Sequence, residues 1–446
     1  MLLALFLLLI TRNVASEPYG YDEADYMYAA SLGFAANWAD VRSIPAADFM
    51  RAGLRRAGRQ SLSQTIRTGN DVLFYRHFHG PIFYYLLIPA IPLHRSEHAV
   101  RTALLAIPCA SLAVVYFGCL WLAPGAAAFP TALMASMLFL SSYSVIESTE
   151  LAPHALFALC SLASLILLLK AIASGGRRYW YGAVLAAAVA FCTLEVALVL
   201  LVTLAICGWV ERRRWQADWR FVANSFAVFL ATILVLWPAA LLRLSFLKAC
   251  AVLAYLAVSR EFAGGSASFL ETWRSRMDHS PLEWVLILAA GIVLFRTRSR
   301  RLLPLALFAA LMVLATLPVV TITPRYSLVF MPALDLLAGL ALVPSIGPLR
   351  RPASLAVVLA GAGLYGCAWY QAALRPHNPN PRSAAVLTYI HQNELENKAV
   401  LAPQADLPTL HYYFPGMRLR AYFGREPSIA ERAEFEAVAT IPAAKP

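Results

Sequence analysis

Asp22-Glu23-Ala24-Asp25-Tyr26 puts three carboxyl groups and a phenol within five residues, directly after the first apolar stretch of the chain. Carboxylates beside a membrane are costly to place, which makes such a cluster a functional-site candidate. On a helix, Asp22, Asp25 and Tyr26 share one face, because positions i, i+3 and i+4 are neighbours. A carboxylate there suits general-base chemistry on a hydroxyl. The competing reading is local: Asp22 and Glu23 in a first helical turn are favoured by the helix dipole and cap its free amides.

Other residues able to do chemistry stand far away in sequence. Arg76-His77-Phe78-His79-Gly80-Pro81 precedes an aromatic run, Ile82-Phe83-Tyr84-Tyr85. Histidine donates hydrogen bonds and carries protons near neutral pH. Two histidines two apart, without a carboxylate at ligand spacing, are a weak metal signal. Glu147-Ser148-Thr149-Glu150 lies between two apolar stretches, and Thr323-Pro324-Arg325-Tyr326 opens another. A lone arginine in that position either snorkels to the interface or grips a phosphate through charge-assisted bonds. Arg42, Arg51, Arg55, Arg56, Arg59, Arg67 and Arg76 give the segment between residues 17 and 97 a basic surface, suited to anionic lipid or simply solvated. Ser259-Arg260-Glu261-Phe262-Ala263-Gly264-Gly265-Ser266 follows an amphipathic stretch, Leu244–Val258, and reads as a hinged loop or a linker.

The elements that must position these groups are membrane helices. Of 446 residues 60% are hydrophobic and 14% charged, which no soluble domain can bury. The apolar stretches lack the period-2 alternation of a membrane barrel, so they read as helices. They fall at roughly 1–14, 98–122, 130–146, 152–171, 179–194, 196–210, 220–240, 282–296, 302–320, 326–345 and 352–372. The expected fold is therefore an all-α polytopic membrane protein of about 11 transmembrane helices. Pro81–Pro92 is either a short true span or an interfacial or re-entrant helix, and the second is preferred because a crossing there would put the basic loops on alternating sides. Threading the spans alternately gathers Lys170, Arg177 and Arg178; Arg212, Arg213 and Arg214; Arg296, Arg298, Arg300 and Arg301; and Arg350 and Arg351 on one side. The positive-inside rule makes that side cytoplasmic. The outer side then holds a long first loop (15–97), Asp22, Glu23, Asp25, Glu147, Glu150, Glu195, Arg325 and a C-terminal segment. The two parts are residues 1–374, in the membrane, and 375–446, a small α/β tail. In the tail, 382–394 and 407–414 read as helices, and 398–402 and 418–422 as strands. Asp22 to Trp38 reads as a helix lying in the interface.

The net charge of +12 is explained by the loops between spans and does not point to nucleic acid. Six of the seven cysteines fall in apolar spans, so there is neither a disulfide framework nor a metal–thiolate pattern. No phosphate-binding loop, dinucleotide fingerprint or HExxH motif occurs. Met1–Ile10 is apolar but short and lacks a preceding basic residue. It reads better as a first span missing its beginning than as a signal peptide.

Taken together, Asp22-Glu23-Ala24-Asp25-Tyr26, His79-Gly80-Pro81 with Tyr84 and Tyr85, Glu147 or Glu150, and Arg325-Tyr326 before Met331-Pro332 resemble the GT-C class of membrane glycosyltransferases. The likeness is greatest to the protein O-mannosyltransferase and aminoarabinose transferase group and covers most of residues 15–372. The chain departs from the aminoarabinose transferases at His79, where lysine is usual, and after the third span, where aspartate is usual. The resemblance implies transfer of a sugar from a polyprenyl-phosphate carrier to an acceptor hydroxyl (lipid, polysaccharide or protein) with inversion, on the periplasmic side of the inner membrane. It implies Asp22 as base, an oxocarbenium-like transition state and Arg325, with His79, stabilising the leaving phosphate. Glu23, Tyr26, Glu150 and Tyr326 would bind substrate. No cofactor is assigned, and a divalent cation held by Glu23 and Glu150 is the lesser option to their binding sugar hydroxyls. The alternative is a non-catalytic lipid or solute transporter or accessory protein, against which stand the lack of an internal repeat and the placing of ionisable groups at span ends.

Overall fold

The computed structural model describes residues 2–34, 79–93, 96–141, 149–242, 280–316, 324–345, eight positions between 359 and 370, 381–403, 406–422 and 437–438. Glu147, the first-loop arginines, the glycine-containing loop at 264–265, the amphipathic stretch before it and Arg350–Arg351 lie outside them. The chain divides into two compact units. The first is Met1–Val14, Thr102–Pro238 and Ala257–His377, and the second is Ala15–Arg101, Ala239–Leu256 and Asn378–Pro446.

The first unit is a helical assembly. Its main members are Leu2–Thr11, Ala106–Leu122, Ala128–Ser141, His154–Ser174, Arg177–Phe191, Leu198–Val210, Trp219–Leu236, Pro281–Thr297, Leu303–Thr316 and Met331–Ser345. Among the described residues three helices are long and apolar enough to cross a membrane: Glu97–Leu122, His154–Ser174 and Trp219–Leu236. The expected span at 98–122 appears as Glu97–Leu122, with one turn residue, Leu105, between the helices Glu97–Leu104 and Ala106–Leu122. Pro108 is the reason, since it has no amide proton and its ring crowds the carbonyl four residues earlier, at Leu104. The stretch after Pro81 likewise forms a short helix, Ile82–Leu87, and then tightens to a 3-10 segment, Ile88–Leu93, which carries Pro89 and Pro92. Gly175 ends the His154–Ser174 helix in the left-handed region, at φ 71°, a conformation that favours glycine.

Small and polar residues set the helix contacts. Ser164 Oγ donates to the Ala183 carbonyl at 2.8 Å, and Trp180 Nε1 donates to Ser225 Oγ at 2.8 Å. Glu283 and Asp335, on two helices of this unit, are both buried and interact with each other. At Gly339 an added Cβ would lie 2.7 Å from the Ala135 Cβ and 3.1 Å from its backbone nitrogen, so the Met331–Ser345 and Ala128–Ser141 helices meet backbone to backbone. A Gly339→Val variant is expected to lose about 1–3 kcal/mol of stability or more. The check is a lower thermal midpoint and less monodisperse protein in detergent than wild type.

One end of this unit gathers basic side chains on helix carbonyls. Arg177 donates to the Trp215 and Gln216 carbonyls, each at 2.8 Å, and Arg214 to that of Ala173 at 3.2 Å. Arg301 donates to the Leu122 carbonyl at 2.6 Å, and Lys170 lies over the Trp121 ring at 4.6 Å. Cations complement the negative ends of helices.

The second unit holds the helix Tyr21–Ser31, the aromatic helix Ile82–Leu87 and the C-terminal segment. In that segment strands β1 (Ala399–Pro403), β2 (Arg418–Tyr422) and β3 (Ala437–Val438) form a parallel sheet of order β2-β1-β3. The helix Leu407–Tyr413 makes the crossover from β1 to β2, the connection a parallel pair requires. Val386, Ile390, Val400, Leu407, Leu410 and Met417 form its core. Arg382 grips the buried carboxylate of Asp406 with two bonds, at 2.6 and 3.1 Å, tying the Pro381–Gln392 helix to the start of the crossover helix. The interfacial helix expected to reach Trp38 stops at Ser31. Gly33, at φ 62°, supplies the left-handed residue that ends helices.

Candidate functional site

Three turns of helix carry the acidic run. Gly20 is the N-cap of Tyr21–Ser31, with extended backbone (ψ −178°), and Asp22 and Glu23 fill the first turn. The Gly20 amide donates to Glu23 Oε2 at 3.5 Å, the one half of a capping box that a glycine N-cap can make. The local reading of these acids is thus realised for Glu23.

Glu23 has a second and stronger partner. Arg101, only 4% exposed, donates from Nε to Glu23 Oε1 at 3.1 Å and from Nη2 to Oε2 at 2.5 Å. Its remaining nitrogen, Nη1, donates to the carbonyls of Ala15 (3.1 Å) and Glu17 (2.8 Å). A planar guanidinium in bidentate contact with a carboxylate is the strongest such geometry. Arg101 also stacks over the Tyr19 ring, 5.0 Å from its centroid. One buried cation therefore fixes the strand of chain that leads into the acidic helix and the first turn of that helix together.

The crossover helix Leu407–Tyr413 packs along the same element. The Tyr19 amide donates to Tyr413 Oη at 2.9 Å, and Tyr413 Oη donates to Glu97 Oε1 at 2.8 Å. Thr409 Oγ1 donates to the Tyr19 carbonyl at 3.4 Å. Tyr19 meets Tyr412 edge-on at 5.5 Å, and Tyr28 meets His411 at 5.8 Å. Burial pushes the Tyr413 phenol far above its usual range, with Glu97 adding to the effect. Burial does the same to Tyr19, and burial with Glu97 raises Tyr412 to about 12. All three phenols therefore keep their protons at any physiological pH.

On another side of the acidic helix Tyr26, buried, collects an aromatic group: Phe83 edge-on at 5.4 Å, Tyr84 at 5.8 Å and His79 at 6.1 Å. Asp22 and Asp25 are half-buried. The second unit so brings together Asp22, Glu23, Tyr26 and His79. Glu150, Arg325 and Tyr326 belong to the first unit. There Glu150 is exposed and its neighbour Thr149 donates to the Asn13 carbonyl at 3.0 Å. Arg325 and Tyr326 stand in the 3-10 segment Pro324–Val329, which packs on the His154–Ser174 helix. Among the described residues no group of three or more His, Cys, Asp or Glu side chains is arranged to hold a metal ion.

Sequence reasoning missed Arg101, Glu97 and Tyr413. Arg101 had a signal: a charge one turn inside an apolar helix calls for a partner. Tyr413 had none, because its partners are set by tertiary contact.

No family model matches the chain, and no curated protein matches it. Solved structures do. ArnT from Cupriavidus metallidurans in the apo state superposes with a TM-score of 0.60 at 14% identity, over 95% of this chain and 84% of that one. The same enzyme bound to undecaprenyl phosphate gives 0.61 at 14% identity, over 96% and 85%. The Archaeoglobus fulgidus oligosaccharyltransferase in complex with Zn and sulfate gives 0.55 at 14% identity, over 94% of this chain and 62% of that one. At this identity the likeness is one of fold.

Proposed function

We propose that this chain, whose fold is that of the GT-C glycosyltransferases, moves a sugar from a polyprenyl-phosphate carrier to an acceptor hydroxyl at the outer face of the membrane, with inversion. The observation that carries the reading is the rigidly held acidic helix: a half-buried Asp22 beside a Glu23 locked by Arg101. The neighbour solved with undecaprenyl phosphate supports a lipid-phosphate donor.

In this scheme the acceptor oxygen attacks sugar C1 as the bond from C1 to the carrier phosphate oxygen breaks. Asp22 takes the acceptor proton. The charge that grows on the departing lipid phosphate is met by Arg325, with its bidentate fork. Tyr26 and His79, within one aromatic group, offer flat faces and hydrogen bonds to the sugar. Glu150 and Tyr326 contribute to substrate binding. We assign Glu23 to positioning instead of substrate contact, because its two oxygens are engaged by Arg101 and the Gly20 amide.

The test is transfer by purified protein in nanodiscs, offered a panel of radiolabelled polyprenyl-phosphate sugars and mixed acceptor lipids. The expected result is release of free polyprenyl phosphate with one donor class and a product of opposite anomeric configuration. Tight binding of the carrier with no turnover on any donor would replace this reading with a carrier-binding accessory protein. Retention of configuration would remove the single-displacement scheme.

A further inference from the structure

We propose that Tyr413, the last residue of the crossover helix Leu407–Tyr413, is a positioning residue for the helix that carries Asp22. The proposal rests on the glycosyltransferase reading given above.

Tyr413 Oη makes two hydrogen bonds with one proton: it accepts from the Tyr19 amide at 2.9 Å and donates to Glu97 at 2.8 Å. Its direction is therefore fixed. The Tyr19 carbonyl accepts from Thr409 of the same crossover helix. Both polar groups of one peptide residue are held by a single helix, three residues ahead of Asp22. Further along, Tyr28 on the last turns of the acidic helix lies against His411. The crossover helix thus grips the acidic helix at its start and near its end.

The grip reaches the carboxylates through Arg101, whose guanidinium lies over the Tyr19 ring and bonds Glu23. Freeing Tyr19 loosens the face against which Arg101 stacks, and with it the turn that aims Asp22. Base catalysis depends on such aim, whereas affinity for a long lipid carrier rests on the rest of its surface. Tyr413 is thereby placed to affect turnover more than donor binding.

The experiment compares Tyr413→Phe with wild type in the full-length protein in nanodiscs. The phenylalanine keeps the ring and removes both bonds. A misplacement on the order of 1 Å costs about 100-fold, so kcat is expected to fall by about 10- to 100-fold with donor KM within about twofold. Hydrogen exchange of residues 19–31 is expected to quicken, while peptides from 154–174 stay unchanged. Thr409→Val, which frees the Tyr19 carbonyl, should move both readouts in the same direction, and it serves if Tyr413→Phe fails to fold. Wild-type kcat with unchanged exchange would overturn the proposal. So would a fall in kcat that only tracks the fraction of folded protein, since that is packing and not positioning. If wild type shows no transfer with any donor, the transferase reading falls. Unchanged exchange at 19–31 would then overturn the clamp by itself, without reference to activity.

Discussion

Asp22→Asn is expected to insert and fold as wild type does, bind the polyprenyl-phosphate donor, and lose about 10²- to 10⁴-fold in transfer, the usual contribution of a positioned general base. The side chain is isosteric, sits half-buried in the first turn of its helix and leaves the bond from the Gly20 amide to Glu23 in place. Loss of its charge at that turn costs the helix only about 0.3–1 kcal/mol. Activity and stability therefore separate at this position. The measurement is single-turnover release of carrier phosphate beside a thermal melt. A variant that melts like wild type and transfers at more than half its rate would remove Asp22 from the reaction. Asp25 would then be the carboxylate to test next, since it shares that helix face.

Arg101→Met should behave in the opposite way, with stability and activity falling together. It leaves the Glu23 carboxylate in a largely buried place without its cation, and strips the donors from the Ala15 and Glu17 carbonyls. Breaking a buried ion pair from one side costs about 3–5 kcal/mol. Lysine is a poor substitute, because a point charge cannot make the fork and two carbonyl bonds at once. Pairing Arg101→Met with Glu23→Leu removes the stranded charge, so part of the melting temperature should return. Transfer should not, because the acidic turn has still lost its anchor. If Arg101→Met alone melts within a degree of wild type, the ion pair has no structural weight and Glu23 returns to the list of substrate contacts.

The sequence was most legible where a local rule decides. Residues 398–402 and 418–422, read as strands from short apolar runs, appear as Ala399–Pro403 and Arg418–Tyr422, and the two tail helices lie within two residues of their expected ends. The start of the acidic helix was equally plain. Its end was misjudged because the aromatic residues Phe34 and Trp38 suggested interfacial anchors, although Gly33 already marked a stop. The span at 98–122 was legible as Glu97–Leu122, and the local turn at Leu105 was written in Pro108. What could not be read was pairing at long range. Nothing in Tyr413 says that it will meet Tyr19, and the role of Glu23 changes once Arg101 is seen to hold it.

That long-range pairing has a consequence for biogenesis. The Glu23–Arg101 bond spans 78 residues, whereas Tyr19 and Tyr413 are 394 apart. At roughly 5–20 residues per second of synthesis, the acidic helix gains its arginine within seconds but waits on the order of 20–80 s for its tyrosine. During that interval the acidic turn is only half secured. On the proposed transferase reading, a nascent or stalled chain would thus be inserted but idle, and competence would arrive late, with the arrival of the crossover helix.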